Sequence, residues 1–139
     1  MSQYFMVGGV SVWNPATTPA QLFYRTAGAM TVVAGRPHGI VDLEYDEYDV
    51  DLPVYQDFVA ALTRRYLDAT HSVIVDLAGG FLPMAVAFLR AAGGDVPLLV
   101  ETAAGDLEAA RKVPAGEYAI EKATAVLARV EELKWSITD

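Results

Sequence analysis

Between Asp42 and Asp51 the chain reads DLEYDEYDVD, six carboxylates in ten residues with Tyr45 and Tyr48 set among them. Carboxylates at this density have three chemical uses: holding a cation, acid–base catalysis, or steering a positively charged partner. A calcium or magnesium site needs ligands that converge from several directions, and calcium loops place a glycine turn between them. Asp42-x-Glu44-x-Asp46 has no such glycine, so no metal is expected. Paired acid–base work needs two carboxyls facing each other across a cleft, one kept neutral by burial. Six neighbouring acids in a polar stretch read instead as ordinary ionised groups. The third use fits best: acids steer encounter with a basic protein surface while tyrosines supply anchor area. The residues expected to make that contact are Glu44, Asp46, Glu47, Tyr48 and Asp49, with Tyr45 expected to point into the core. A plainer use stands beside it, a solvated acidic edge that deters strand pairing.

Other reactive groups are sparse. His38 and His71 are the two histidines, and their spacing to Asp42 or Glu44 matches no established ligand motif. His71 sits at an expected helix start, where it caps or packs. Trp13, Tyr4, Phe23, Tyr24, Phe58, Tyr66 and Phe81 form a set able to wall an apolar pocket. Arg25, Arg36 and Arg64 would be its anion handles; the plainer use of the aromatics is the core. The pocket candidates are therefore Trp13, Tyr24, Arg25, His38, Arg64, Tyr66 and His71. Gly9-Val10-Ser11-Val12-Trp13 has the first glycine of a nucleophile elbow but lacks the second. Neither GxGxxG nor GxxxxGK[ST] occurs, and no cofactor is implied.

The bulk numbers narrow the partners. Outside the acidic block, 12 acids nearly balance the 10 basic residues, so the block supplies most of the net charge of −8. That charge disfavours nucleic acid and anionic membrane, which are bound by clustered Lys and Arg. With no cysteine, disulfides and Cys-ligated zinc or iron–sulfur sites are excluded. A chain of 139 residues, 53% hydrophobic, has the size of a single domain and more apolar surface than one core of that size needs. The excess points to a homo-oligomer, most simply a symmetric dimer. No charge precedes Arg25, so the start lacks the basic region of a secretory signal. The uncharged run Leu77 to Leu89 would span only about 20 Å as a helix, short of the roughly 30 Å hydrocarbon core. A cytoplasmic protein is expected.

The elements that must position these groups follow from local pattern. Tyr4-Phe5-Met6-Val7 and Val10-Ser11-Val12-Trp13 flank Gly8-Gly9, the signature of a tight hairpin. Thr18-Pro19-Ala20-Gln21 reads as a capping box opening a helix that Gly35 stops. From Ile40, alternation puts Val41, Leu43 and Tyr45 on a core-facing side of a strand and Asp42, Glu44 and Asp46 on the solvent side. Asp51 or a neighbour caps a helix with Pro53 in its first turn and Val54, Phe58, Ala61, Leu62 and Tyr66 as its buried stripe. The window from His71 to Ala92 reads as a buried helix, with a short strand at 72–76 followed by a helix as the rival. Pro97-Leu98-Leu99-Val100 reads as a last strand and Asp106 to Lys112 as a short helix. Glu117 to Lys134 is an amphipathic helix with Ile120, Ala123, Leu127, Val130 and Leu133 on one face. Residues 94–116 are the closest thing to a connecting segment.

Three stretches carry a resemblance: the opening MSQYFMVGGVSVWNP, Phe58-Val59-Ala60-Ala61-Leu62 leading to Arg65-Tyr66, and His71 followed by Ala78-Gly79-Gly80-Phe81-Leu82. Together they resemble a family of small actinobacterial proteins of unknown function, clearest over residues 1–93. The resemblance implies a cytoplasmic actinobacterial setting, and the family has no assigned activity or catalytic residues to carry over.

The expected fold is α+β, a small antiparallel sheet from the N-terminal hairpin plus one or two strands, packed against three to four helices. The expected function is a non-catalytic, acidic protein-binding module that engages a basic partner, as an immunity-type protein or a regulatory subunit would. The alternative is a small-molecule binder or cofactor-free enzyme of secondary metabolism built around the aromatic pocket.

Overall fold

A computed structural model describes residues 1–105 and 118–138. Its elements run β1 (Tyr4–Val7), β2 (Val10–Trp13), α1 (Thr17–Ala34), β3 (Ile40–Asp42), β4 (Glu47–Val50), α2 (Leu52–Asp68), α3 (Ser72–Ala91), α4 (Pro97–Ala103) and α5 (Ala119–Thr138). The class is α+β. Its four-stranded sheet, in the order β2-β1-β4-β3, is mixed rather than purely antiparallel. β1 pairs antiparallel with β2, and β4 antiparallel with β3, but β1 and β4 run parallel. The helix α1 is the reason: inserted between the two hairpins, it carries the chain across so that β4 re-enters alongside β1 in the same sense.

The first hairpin turns on Gly8 and Gly9, both at positive φ (58° and 81°), the conformation a two-residue turn requires. A register shift between Phe5 and Met6 marks a bulge. Phe5, at its edge, is fully buried, and around it stack Trp13 (ring centroids 5.1 Å apart) and Tyr48 (4.6 Å), with Phe23 and Phe88 meeting it edge-on at 5.6 and 5.8 Å. This aromatic stack joins the inner face of the sheet to α1 and α3.

Helix α1 begins two residues earlier than the capping box at Thr18 would place it. Ala16 is its N-cap, no side chain caps it, and the buried Thr17 hydroxyl has no hydrogen-bond partner. The chain entry is instead held by backbone: Gln3 donates to Pro15 and Thr17 donates to Met1. Asp51 does cap α2, accepting from the Val54 N–H at 3.3 Å with proline in the first turn. Residues 72–91 form one helix, α3, with Pro83 inside it. By length and composition α3 is apolar enough to cross a membrane (mean hydropathy 1.9), and half of that window is buried. In this fold it is the central helix, against which α1, α2 and α5 pack.

The stretch Pro97–Val100 is helical, not a strand: Leu99 and Thr102 are buried while Val100 is exposed, a three-residue period that seats α4 on α2 and α5. Of the expected connecting segment, 97–103 is therefore α4; the expected short helix at 106–112 lies outside the described residues. On α5 the buried residues are Ala119, Ala123, Val126, Val130 and Ile137, so Ile120, at 46% exposure, turns away from the core. Lys122 holds α5 to the end of α2 by donating to the Ala69 and Tyr66 carbonyls at 2.7 and 3.1 Å. The Tyr66 carbonyl also accepts the Ala69 N–H at 3.2 Å, and a cation suits the negative end of the helix dipole. At the far end, the Trp13 indole N–H donates to the Ser136 carbonyl at 3.1 Å.

Candidate functional site

The acidic block folds as a hairpin: the strand from Ile40 ends at Asp42 rather than running to Asp46, and Glu47–Val50 is a second strand. β3 and β4 pair Ile40 with Val50, Val41 with Asp49 and Asp42 with Tyr48. Ile40, Tyr48 and Val50 face the core. Asp42, Glu44 and Asp46 are exposed as expected, but Val41, Leu43 and Tyr45 do not take the core-facing side expected of them. Val41, Leu43 and Tyr45 are 55%, 47% and 93% exposed, whereas Tyr48 is 3% exposed beneath Phe5 and Tyr24. The physical cause is the reversal at Leu43–Asp46: β3 ends at Asp42, so these residues form a turn in solvent that has no core-facing side.

At the tip, Glu44, Tyr45 and Asp46 hold φ of 61°, 52° and 65° in succession. Left-handed backbone costs a residue with a Cβ about 1–2 kcal/mol, so three in a row store strain. Local bonds hold the turn in place. The Glu44 N–H donates to the Asp42 carboxylate at 2.8 Å, Leu43 donates to the Glu47 carbonyl at 3.0 Å, and Tyr4 donates to the Asp46 carbonyl at 2.8 Å. Tyr45 is thereby raised into solvent with Asp42, Glu44, Asp46, Glu47 and Asp49 exposed around it. The parallel register of β1 sets Tyr4 beside Glu47 and Met6 beside Asp49, which adds half-exposed apolar surface (Tyr4, 41%) to the acidic face. Of the residues expected to meet a partner, Glu44, Asp46, Glu47 and Asp49 are brought together here and Tyr48 is not available. The exposed tyrosine among them is Tyr45.

The pocket candidates separate into distinct places. Tyr24, Arg25 and His38 lie on one side of the buried Tyr48. Tyr24 contacts both His38 (5.8 Å) and Tyr48 (5.0 Å), and His38 also meets Phe58 (6.1 Å). Burial raises the Tyr48 hydroxyl above its ordinary pKa, and the Asp42 carboxylate adds to this, so the group stays neutral. Trp13 lines an open hollow of about 400 Å³ between α1 and α3 whose wall contains no arginine or histidine. Tyr66 is buried against Gly79 on α3, with the Lys122 ammonium 5.3 Å from its ring; burial raises its pKa. His71 caps α3, its Nδ1 accepting from the Val73 N–H at 3.3 Å. Arg64 lies in a shallow concavity with Arg36, Arg65 and Asp57, where Arg65 donates to the Val33 carbonyl near the end of α1. Among the described residues, no group of three or more metal-ligating side chains converges.

His38 has a definite protonation requirement. Its Nδ1 accepts the Ile40 N–H at 2.9 Å, which only the neutral ring in the tautomer protonated at Nε2 can do. Burial lowers its pKa below the ordinary 6.5. The folded state therefore binds fewer protons than the unfolded state as pH falls through 6.5 toward the folded pKa, and stability is lost over that window. His38→Asn keeps an acceptor near that N–H and removes the titration. Urea unfolding at pH 7.5 and 5.5 is expected to show a smaller pH-dependent loss for the variant than for the parent; equal losses would rule His38 out as the source.

Comparison with known proteins bears on the whole chain at once. It belongs to a family of unknown function (DUF6086), whose model matches residues 1–138. No curated protein and no solved structure matches it.

Proposed function

We propose that this family member is a non-catalytic protein-binding module that docks a basic protein surface with its β3–β4 hairpin. The observation that carries the reading is Tyr45, 93% exposed at the tip of a strained left-handed turn and ringed by five exposed acids. A sequence under no functional demand would place glycine or asparagine in such a turn. Retaining an exposed tyrosine there sacrifices stability for a projecting aromatic, the residue type that most often anchors an interface. The surrounding carboxylates speed encounter with a positive partner and repel nucleic acid and anionic membrane. An immunity-type or regulatory role fits this chemistry, and so does a setting inside the cell.

The test uses two variants. Tyr45→Gly relieves the left-handed strain and is expected to raise the unfolding free energy by about 0.5–1 kcal/mol. The same change is expected to weaken binding at least about 30-fold, the loss of an anchor worth about 2 kcal/mol. Glu47→Lys with Asp49→Lys reverses two outward-facing charges and should abolish binding while leaving the melting temperature in place. The partner is captured from a lysate of the source organism with the immobilised chain, purified, and titrated against all three proteins. Retention of full affinity by both variants would overturn the reading.

A further inference from the structure

The outward faces of α1 and α3 differ from the rest of the surface. Among their exposed residues only Arg25 and Asp76 are charged, whereas α2 exposes Asp57, Arg64, Arg65 and Asp68, and α5 exposes Glu121, Arg129, Glu131, Glu132 and Lys134. Leu22 (66% exposed), Val32 (84%), Val73 (57%) and Leu77 (60%) stand on this face. The two helices run antiparallel and diverge. Pro19, Leu22 and Thr26 of α1 face Leu77, Gly80 and Met84 of α3 across the hollow, with Trp13, Phe23 and Phe81 also in its wall. Toward the other end, Val32 and Val33 approach Ile74. Nothing in the described residues covers this groove.

We propose that a second copy of the chain covers it, with α1 and α3 of two molecules meeting about a two-fold axis that runs along the groove. Three features of the face favour that occupant. First, charge: a chain carrying −8 repels its copy everywhere except across a face that is itself neutral, and along this groove the charges balance, Arg25 and Arg65 against Asp76 and Asp68. Second, complementarity: Asp76 lines the hollow from α3, and the exposed Arg25 stands one position before Thr26, which lines it from α1. A two-fold along the groove lays each α1 across the partner's α3, so that Arg25 of each molecule comes level with Asp76 of the other. An isologous contact makes every such pair twice. Among the described residues neither Arg25 nor Asp76 has an ion-pair partner within the chain. Third, size: two helices about 27 Å long and about 10 Å wide present on the order of 500 Å² in projection, and more as accessible surface. A standard interface buries roughly 800 Å² per partner. The resulting layer of four helices would bury Leu22, Val73 and Leu77 against each other and close both hollows.

The inference is independent of the acidic hairpin and fails separately from it. Light scattering coupled to gel filtration, at a protein concentration of about 100 µM, is expected to give twice the 15.0 kDa chain mass. Leu77→Glu sets four acids around the contact and is expected to yield a monomer with an unchanged melting temperature, since Leu77 is already exposed in the single chain. Asp76→Arg alone should weaken the dimer about tenfold, and adding Arg25→Asp should restore it to within about threefold, because the swapped pair re-forms in both halves. A parent chain that is monomeric at that concentration would overturn the proposal. So would a dimer that survives Leu77→Glu, or a double swap that fails to rescue. Flotation of a monomeric parent with neutral phosphatidylcholine vesicles, lost in Leu77→Glu, would assign the face to lipid and overturn it equally.

Discussion

Replacing Phe5 with alanine is expected to lower the unfolding free energy by about 3–5 kcal/mol, a large share of the 5–15 kcal/mol that holds a domain of this size. The ring is fully buried and touches four others, from β2, α1, β4 and α3. Removing it costs both the transfer of the ring from water and a cavity that its neighbours cannot fill, because each is fixed by a different element. Aromatic pairs contribute about 0.5–1.5 kcal/mol beyond their buried area, and Phe5 is the member common to the pairs with Trp13 and Tyr48. Val7, on the same strand but only partly buried, supplies the control; its truncation should cost well under half as much. Urea denaturation reads the result as a fall in midpoint with the slope unchanged. A loss below about 1.5 kcal/mol would mean that the cluster relaxes around the gap, and that Phe5 does not hold the sheet to the helices.

Gly39→Ala is expected to cost about 2–4 kcal/mol through two effects that add. Its φ of +73° is strained for any residue with a Cβ, and that Cβ would sit 2.9 Å from Val54 Cβ, 3.0 Å from Val54 Cγ1 and 3.1 Å from the Asp51 carbonyl oxygen. The neighbours cannot step aside, since Asp51 is the N-cap of α2 and its N–H donates to the Gly39 carbonyl at 2.9 Å. Gly35 separates the two effects. It has nearly the same φ, +68°, with nothing within 4 Å of its would-be Cβ. Gly35→Ala should therefore show the backbone penalty alone, about 1–2 kcal/mol. Equal losses at the two positions would remove the steric part of the argument.

What could be read from the sequence divides along physical lines. The first hairpin was legible because Gly8-Gly9 is a local signal with a local cause, and α2 because Asp51 and Pro53 satisfy the backbone where a helix must begin. α3 was legible because its apolar spacing persists over 20 residues. Pro97–Val100 was not, since four apolar residues fit a strand and a buried helix equally, and the deciding partners lie on α2 and α5. The parallel pairing of β1 with β4 depends on a contact across α1 that no local pattern encodes. The acidic site was half legible. Its composition and the candidate contacts Glu44, Asp46, Glu47 and Asp49 follow from the residues, but its turn uses Glu44-Tyr45-Asp46 where a turn signal would be glycine or asparagine. That departure from the usual turn chemistry hid the reversal, and it exchanged the roles of Tyr45 and Tyr48.

The bond from Trp13 to Ser136 spans 123 positions of the chain. At a synthesis rate of about 5–20 residues per second, the ribosome adds the intervening residues over roughly 6–25 s. Phe23 and Phe88, whose rings pack on Phe5 and Trp13, emerge within that interval, and α5 is the partner that comes last. The Trp13 indole N–H thus waits for its acceptor longer than the rings of the cluster wait for one another, and anything that slows elongation past α3 lengthens that wait.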